Sequence, residues 1–266
     1  VGAPIIDSNA NLYIVSEYQV SSNNYNLVIV PFKAWKHGGQ IKIVDLGNVK
    51  PIASPTLNDD IIVVLSQNTL RVIDAKTLKT IFIKSGNYAK EKPVIGEGNI
   101  IYTIHDDFIV AYNSSGARMW KTKVTGGVGN KIILNHEKGV YSVNSQGKLY
   151  KYDLISGIES LVSDLSISSG VLIDNNGNLY FASGKMFYGI NSDGKVLWKS
   201  DLGCKITGNP IMNADGMIYV TSEDNSIFAL NSSELINPNL SVFVENGTAV
   251  GDVRIIITLN NQAAGN

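Results

Sequence analysis

The 266-residue sequence predicts an all-β protein: a β-propeller of about six visible four-stranded blades built on a 39-residue repeat. Three observations carry this expectation. One position in the second apolar run of each unit recurs at Tyr13, Val63, Tyr102, Tyr141, Tyr180 and Tyr219, at spacings of 50, 39, 39, 39 and 39 residues. Each unit holds four runs of about four to six residues, rich in β-branched and aromatic side chains and bounded by Asn, Asp and Gly. No ten-residue stretch keeps a helical period.

The first run of a unit often follows proline, as in PII (4–6), PTL (55–57), PVI (93–95) and PIM (210–212). A polar turn comes next, such as DSNAN (7–11), DNNGN (174–178) or NADG (213–216). The second run reads LYIVS, IIYTI, GVYSV, NLYFA or MIYVT, and the third LRVID, FIVAY, LYKYD, FYGIN or IFALN. The fourth run is clearest in ARMWK (117–121) and KVLWK (195–199). The long first interval has about 11 extra residues, which SSNNYNLVIVPFKAWKHGG can supply as an insertion. Four antiparallel strands in about 40 residues form a sheet with two apolar faces, and stacking successive sheets around a ring covers both. The recurring tyrosine is therefore expected to pack between blades.

Composition narrows the function classes. Hydrophobic residues make up 44% and charged residues 17%, enough for a large core. The 28 Asn and 25 Gly beside 7 Pro suit many tight turns. A net charge of −1 offers no basic field for nucleic acid or an anionic membrane surface. No run approaches 18 apolar residues, so membrane insertion is not expected. The single cysteine, Cys204, cannot form an internal disulfide and reads as a small apolar filler. The sequence begins VGAPII without a signal sequence, which suggests a mature or trimmed chain.

The Pro-led inner strand, the D/N-x-x-G-x-[LI]-Y-V turn and strand, and the N-S-x-G-K-x-x-W segment together resemble the repeat of PQQ-like β-propellers. That group spans quinoprotein alcohol dehydrogenases and non-enzymatic relatives. The best matches are 171–200 and 210–232, and the resemblance covers roughly residues 1–232. NSSGARMWK (113–121) and NSDGKVLWK (191–199) resemble the family's tryptophan-docking turn, which implies that Trp120 and Trp198 pack over the neighbouring blade. Two units depart from the pattern: Ile81 stands near the Trp position in one, and 128–160 has no Trp. Related rings commonly close with seven or eight blades, so six units imply either a six-bladed ring or part of a larger one. The propeller is expected over 1–239. Residues 240–266 would supply closing strands, LSVFVE (240–245) or RIIITL (254–259), or open a new module. GDVRIIITLNNQAAGN resembles the start of an Ig-like repeat of microbial surface adhesins.

Propeller ligands usually meet one end of the ring, built from turns between second and third strands and from the segments between blades. Candidate ligand-face residues are His105, Asp106, Asp107, Asn144, Lys185, Glu223 and Asp224. His105 occupies a slot where other units have Ser, which favours a solvated turn over a metal ligand. In the insertion, Phe32, Trp35 and His37 could contact a sugar or protein, or fold back on the first blade. A quinoprotein enzyme would need a carboxylate set around Ca²⁺, and the resemblance adds a vicinal Cys–Cys disulfide that one cysteine excludes. No catalytic residue, metal or cofactor is therefore assigned. DSNAN and DNNGN match half of a calcium loop but lack its sixth-position Gly and closing Glu. Sequons at Asn113, Asn231, Asn239 and Asn246 permit glycosylation.

The sequence reading is a non-catalytic binding or scaffolding module of an exported or cell-surface, adhesin-like microbial protein, with a surface protein or glycan as partner. The alternatives are a quinone-dependent dehydrogenase and an assembly scaffold that binds partners by strand addition.

Overall fold

The computed structural model describes residues 3–18, 24–32, 34, 38–129 and 131–231, and the backbone of 242–246 and 253–257. These residues form six sheets, and the first five are built in chain order from the inner strand outward. Blade one holds β1 (Ile5–Ile6), β2 (Leu12–Tyr18), β3 (Asn24–Val30) and β4 (Lys42–Gly47). Blade two holds β5 (Thr56–Leu57), β6 (Ile61–Leu65), β7 (Thr69–Asp74) and β8 (Thr80–Ser85). Blade three holds β9 (Val94–Ile95), β10 (Ile101–His105), β11 (Phe108–Tyr112) and β12 (Arg118–Lys123). Blade four holds β13 (Lys131–Asn135), β14 (Gly139–Val143), β15 (Leu149–Tyr152) and β16 (Glu159–Ser163). Blade five holds β17 (Leu172–Ile173), β18 (Leu179–Ser183), β19 (Met186–Ile190) and β20 (Val196–Asp201). Blade six opens with β21 (Ile211–Met212), β22 (Met217–Thr221) and β23 (Ser226–Asn231).

Pairing in the first five blades is antiparallel throughout. Blade six differs at its outer edge. The strand beside β23 comes from RIIITL: β25 (Val253–Ile257) pairs with β23 in parallel, and β24 (Val242–Asn246), from LSVFVE, lies outside it.

The recurring position explains how the sheets stack. Side chains alternate between the two faces of a strand, so neighbours in sequence face different blades. Tyr13 and Val15 pack against Ile62 and Val64 of blade two. Val63 meets Ile101 of blade three, and Tyr102 meets Val140 and Tyr152 of blade four. Tyr141 meets Leu179 and Phe181 of blade five, and Tyr180 meets Ile218 and Val220 of blade six. In blades one to five the recurring residue faces the following blade, and in blades two to six the residues beside it face the preceding one. Burying such aromatics fully is worth about 2–3 kcal/mol each, so these interfaces are the core.

The Asx-rich turns are hairpin fasteners. Asp7 Oδ1 accepts from the N–H groups of Asn9 (2.9 Å) and Asn11 (2.8 Å), and Oδ2 accepts from Asn11 Nδ2 (2.8 Å) and the Tyr13 hydroxyl (3.0 Å). Burial opposes ionisation of Asp7, but these donors outweigh it and hold the carboxyl below its usual value. Asp174 repeats the arrangement with Asn178 and the Tyr180 hydroxyl (2.9 Å). Both carboxylates are consumed inside their own turns.

Candidate ligand face and inner-strand depression

The end of the ring that carries the second-to-third-strand turns is stitched by backbone hydrogen bonds. From blade two onward, each segment between blades pairs with turns on either side of it. Tyr88 N–H donates to Gln67 O (2.8 Å) in blade two, while Asp106 N–H donates to Asn87 O (2.9 Å) from blade three. Ser145 N–H donates to Gly127 O, Ile167 N–H to Gly147 O, and Glu223 N–H to Lys205 O. Main-chain groups are thus satisfied internally, and side chains remain to meet a ligand.

The predicted residues fall on this end but serve different ends. His105 is mostly buried, stacks on Tyr88 with centroids 5.0 Å apart, and lies 3.3 Å from Asp106 Oδ2. A side chain at Gly86 would strike its ring, so His105 fills a slot in the linker. Asp106 has a φ of 54°, a left-handed turn position that Asp tolerates. The Asp107 carbonyl accepts from Val124 N–H (2.9 Å), leaving its side chain exposed. Asn144 is buried and structural: Nδ2 donates to Thr125 O (2.8 Å), and Oδ1 accepts from Gln146 and Lys148 N–H. Lys185 makes an exposed ion pair with Asp201 (2.8 Å), which holds the Asp201 carboxyl below its usual value. Asp224 accepts from the Ser222 hydroxyl and from Ser226 N–H (3.1 Å), and this lowers its pKa. Burial pushes the nearby Cys204 thiol up, as for an inert packing residue. Glu223 is exposed. The structure does not bring the blade-three and blade-six carboxylates together, and no group of three metal-ligating side chains occurs among the described residues.

Trp120 docks on the following blade. Its Nε1 donates to Leu154 O (3.0 Å), and its ring lies so close to Gly157 that any side chain there would collide. Thr122 reinforces the contact through Gly157 O (2.7 Å). Trp198 packs on Tyr180 and Phe187 in its own blade, against the cluster shared with blade six, and its Nε1 is buried without an acceptor. In the insertion, Phe32 is exposed and its N–H donates to Asn11 Oδ1 (3.1 Å), whereas Trp35 and His37 lie outside the described residues.

Sequence reasoning missed an apolar depression beside the inner strands. A depression of about 750 Å³ runs along blades two to four, walled by Leu57, Val94, Ile95, Ile133 and Leu134, with Asn58, Glu97 and His136 at one rim. Residues at or just before the start of the inner strands of blades three to six form a second polar group. Lys131 Nζ donates to Asn209 Oδ1 (2.5 Å), and both crowd Gly170. Burial pushes the Glu91 carboxyl up, although Lys131 and Lys92 pull it down. The available signal was position: these residues flank the short inner strands, which lie nearest the axis.

Residues 156–236 match the family described as outer membrane protein assembly factor BamB. The match covers less than half of the chain. The crystal structure of BamB from Moraxella catarrhalis is similar at a TM-score of 0.55 and 11% identity, over 84% of this chain and 82% of that one. Kluyveromyces lactis Hsv2p is similar at a TM-score of 0.61 and 10% identity, over 87% and 74%. A chain of the mitotic checkpoint complex is similar at 0.59 and 12% identity, over 85% and 74%. At these identities the likeness to solved structures is one of fold. No curated protein matches the sequence.

Proposed function

We propose that this PQQ-like propeller is a non-catalytic binding scaffold, exported or at the cell envelope, whose loop-bearing end meets a surface protein or glycan. The carrying observation is the division of labour on that end. The backbone is locked by internal hydrogen bonds, while exposed Asp107, Lys185 and Glu223 stand on three different blades. Such an arrangement suits recognition spread over a rigid face. The envelope assignment rests on the match to a family whose description is an outer membrane assembly factor.

The test has two arms. Incubation with PQQ and excess Ca²⁺, followed by desalting, is expected to leave a clean protein spectrum and an unmoved melting temperature. Retained quinone with a raised melting temperature would instead establish the dehydrogenase reading. In the second arm, glycans and envelope proteins are screened against the chain and against a combined Asp107→Asn, Lys185→Ala, Glu223→Gln variant. The variant is expected to keep its melting temperature and lose binding; equal binding by both would move the contact elsewhere.

Strand addition has an observation in its favour. The outer strands have one unpaired edge and carry exposed apolar side chains: Ile43 on β4, Ile83 on β8 and Leu161 on β16, with Ile158 beside it 70% exposed. Edges of this kind accept an extended partner strand. Ile158→Lys with Leu161→Lys would abolish binding under this reading and leave it intact under the loop-face reading.

A further inference from the structure

Six blades stacked in a closed ring need six interfaces, yet the described residues build five apolar clusters, each between consecutive blades. None joins blade six to blade one. The two faces left over are recognisable halves of the missing interface. In every later blade the second-strand residues that face the preceding blade are buried: Ile62 and Val64, Ile101, Val140, Leu179 and Phe181, Ile218 and Val220. Their counterparts in blade one, Leu12 and Ile14, are only half-buried, and Ile43 on the same sheet is 65% exposed. The tyrosines that face the following blade are buried at 13, 102, 141 and 180, whereas Tyr219 of blade six is half-buried. Ile6 and Ile211, on the inner strands of these two blades, are 61% and 64% exposed.

We propose that these two faces form a docking seam for a further four-stranded sheet of the same repeat, supplied from outside these 266 residues. The occupant follows from continuity with the five interfaces already formed. A sheet of this repeat presents a Leu179/Phe181-type face on one side and a Tyr180-type face on the other. The first fits the blade-six face in the way Leu179 and Phe181 fit Tyr141. The second fits the blade-one face in the way Tyr180 fits Ile218 and Val220. Unpaired apolar faces of this kind mark interaction surfaces.

The repeat supplies its own probe. Pro4-Ile5-Ile6 stands in blade one where Pro210-Ile211-Met212 stands in blade six. A copy of residues 171–209 placed directly before Pro4 therefore keeps the natural junction of blades five and six. We expect this addition to raise the melting temperature by about 5 °C or more, within the range that one or two kcal/mol produces. It should also slow amide exchange in β2 and β22 about tenfold or more. Ile14→Asp and Tyr219→Asp should leave the 266-residue chain folded and erase both gains in the extended one. An extended chain with unchanged exchange and melting temperature overturns the proposal. So does slow exchange of β2 and β22 in the 266-residue monomer, equal to that of β10 and β14, because the seam would then be closed. A dimer of the 266-residue chain that Tyr219→Asp dissociates would assign the seam to a second copy and also overturn it.

Discussion

Blades two to five and the two terminal blades follow one sequence plan but bury it differently. β6 is buried at all five positions, and β10, β14 and β18 at four of five, because a sheet covers each of their faces. β22 alternates between buried and partly exposed, the pattern of a sheet covered on one face only. The difference teaches that periodicity of the repeat is a statement about the unit, whereas burial is a statement about its neighbours. A tyrosine at the same position of the same repeat is a core residue in blade three and a half-covered surface residue in blade six.

Truncating that tyrosine gives the largest contrast. Tyr102→Ala removes a fully buried ring between blades three and four, and a loss of about 3–5 kcal/mol is expected from urea denaturation. Tyr219→Ala removes a ring that is partly exposed, and about 1–2 kcal/mol is expected. Equal losses would mean that the blade-six face is as well covered as the inner ones.

The two docking tryptophans sharpen the comparison at the rim. Trp120→Phe loses the hydrogen bond to Leu154 O and leaves space over Gly157, so about 1–2 kcal/mol should be lost. Trp198→Phe removes a buried donor that has no acceptor, and its loss should be smaller. A larger loss at Trp198 would show that its ring packing outweighs the polar term.

Substitutions of single hydroxyls separate two members of the recurring column. Tyr13→Phe forfeits the bond to Asp7 Oδ2 and should cost about 1 kcal/mol. Tyr141 is buried between blades four and five with its hydroxyl unpartnered, so Tyr141→Phe should be neutral or stabilising. Thermal denaturation of the two variants side by side would decide it; destabilisation of both by the same amount would remove the distinction.

The strands and the stacking were legible because period-two alternation and a fixed 39-residue interval leave few architectures that cover two apolar faces. Asp7, Asp174 and their partner tyrosines were legible as turn residues, since Asx side chains bond to nearby backbone donors wherever a hairpin needs them. The parallel pairing of β25 was not, because nothing local to RIIITL specifies the direction of its neighbour. The candidate ligand-face residues lie in or beside the turns, but their chemistry depends on partners distant in sequence, such as Tyr88 against His105. Glu91, Lys131 and Asn209 escaped for the same reason: the segments that bring Lys131 to Asn209 are 78 residues apart.

A last effect concerns alkaline pH and rests again on the tyrosines between blades. Burial, then the Asp7 hydrogen bond, pushes the Tyr13 hydroxyl up to about 12, and burial does the same for Tyr141. Tyr88, Tyr102 and Tyr152 move in the same direction. A phenol with a raised pKa holds its proton in the native state after the unfolded chain, at about 10, has released its own. The folded state then binds more protons than the unfolded one, so stability falls as pH rises. The contribution is complete below about pH 10 and lost progressively towards about pH 12. Urea midpoints should therefore be level from about pH 8 to about pH 10 and then decline. Tyr141→Phe should shallow that decline without moving the level part downward. A decline left intact by Tyr141→Phe would place the titrating groups outside the column that joins the blades.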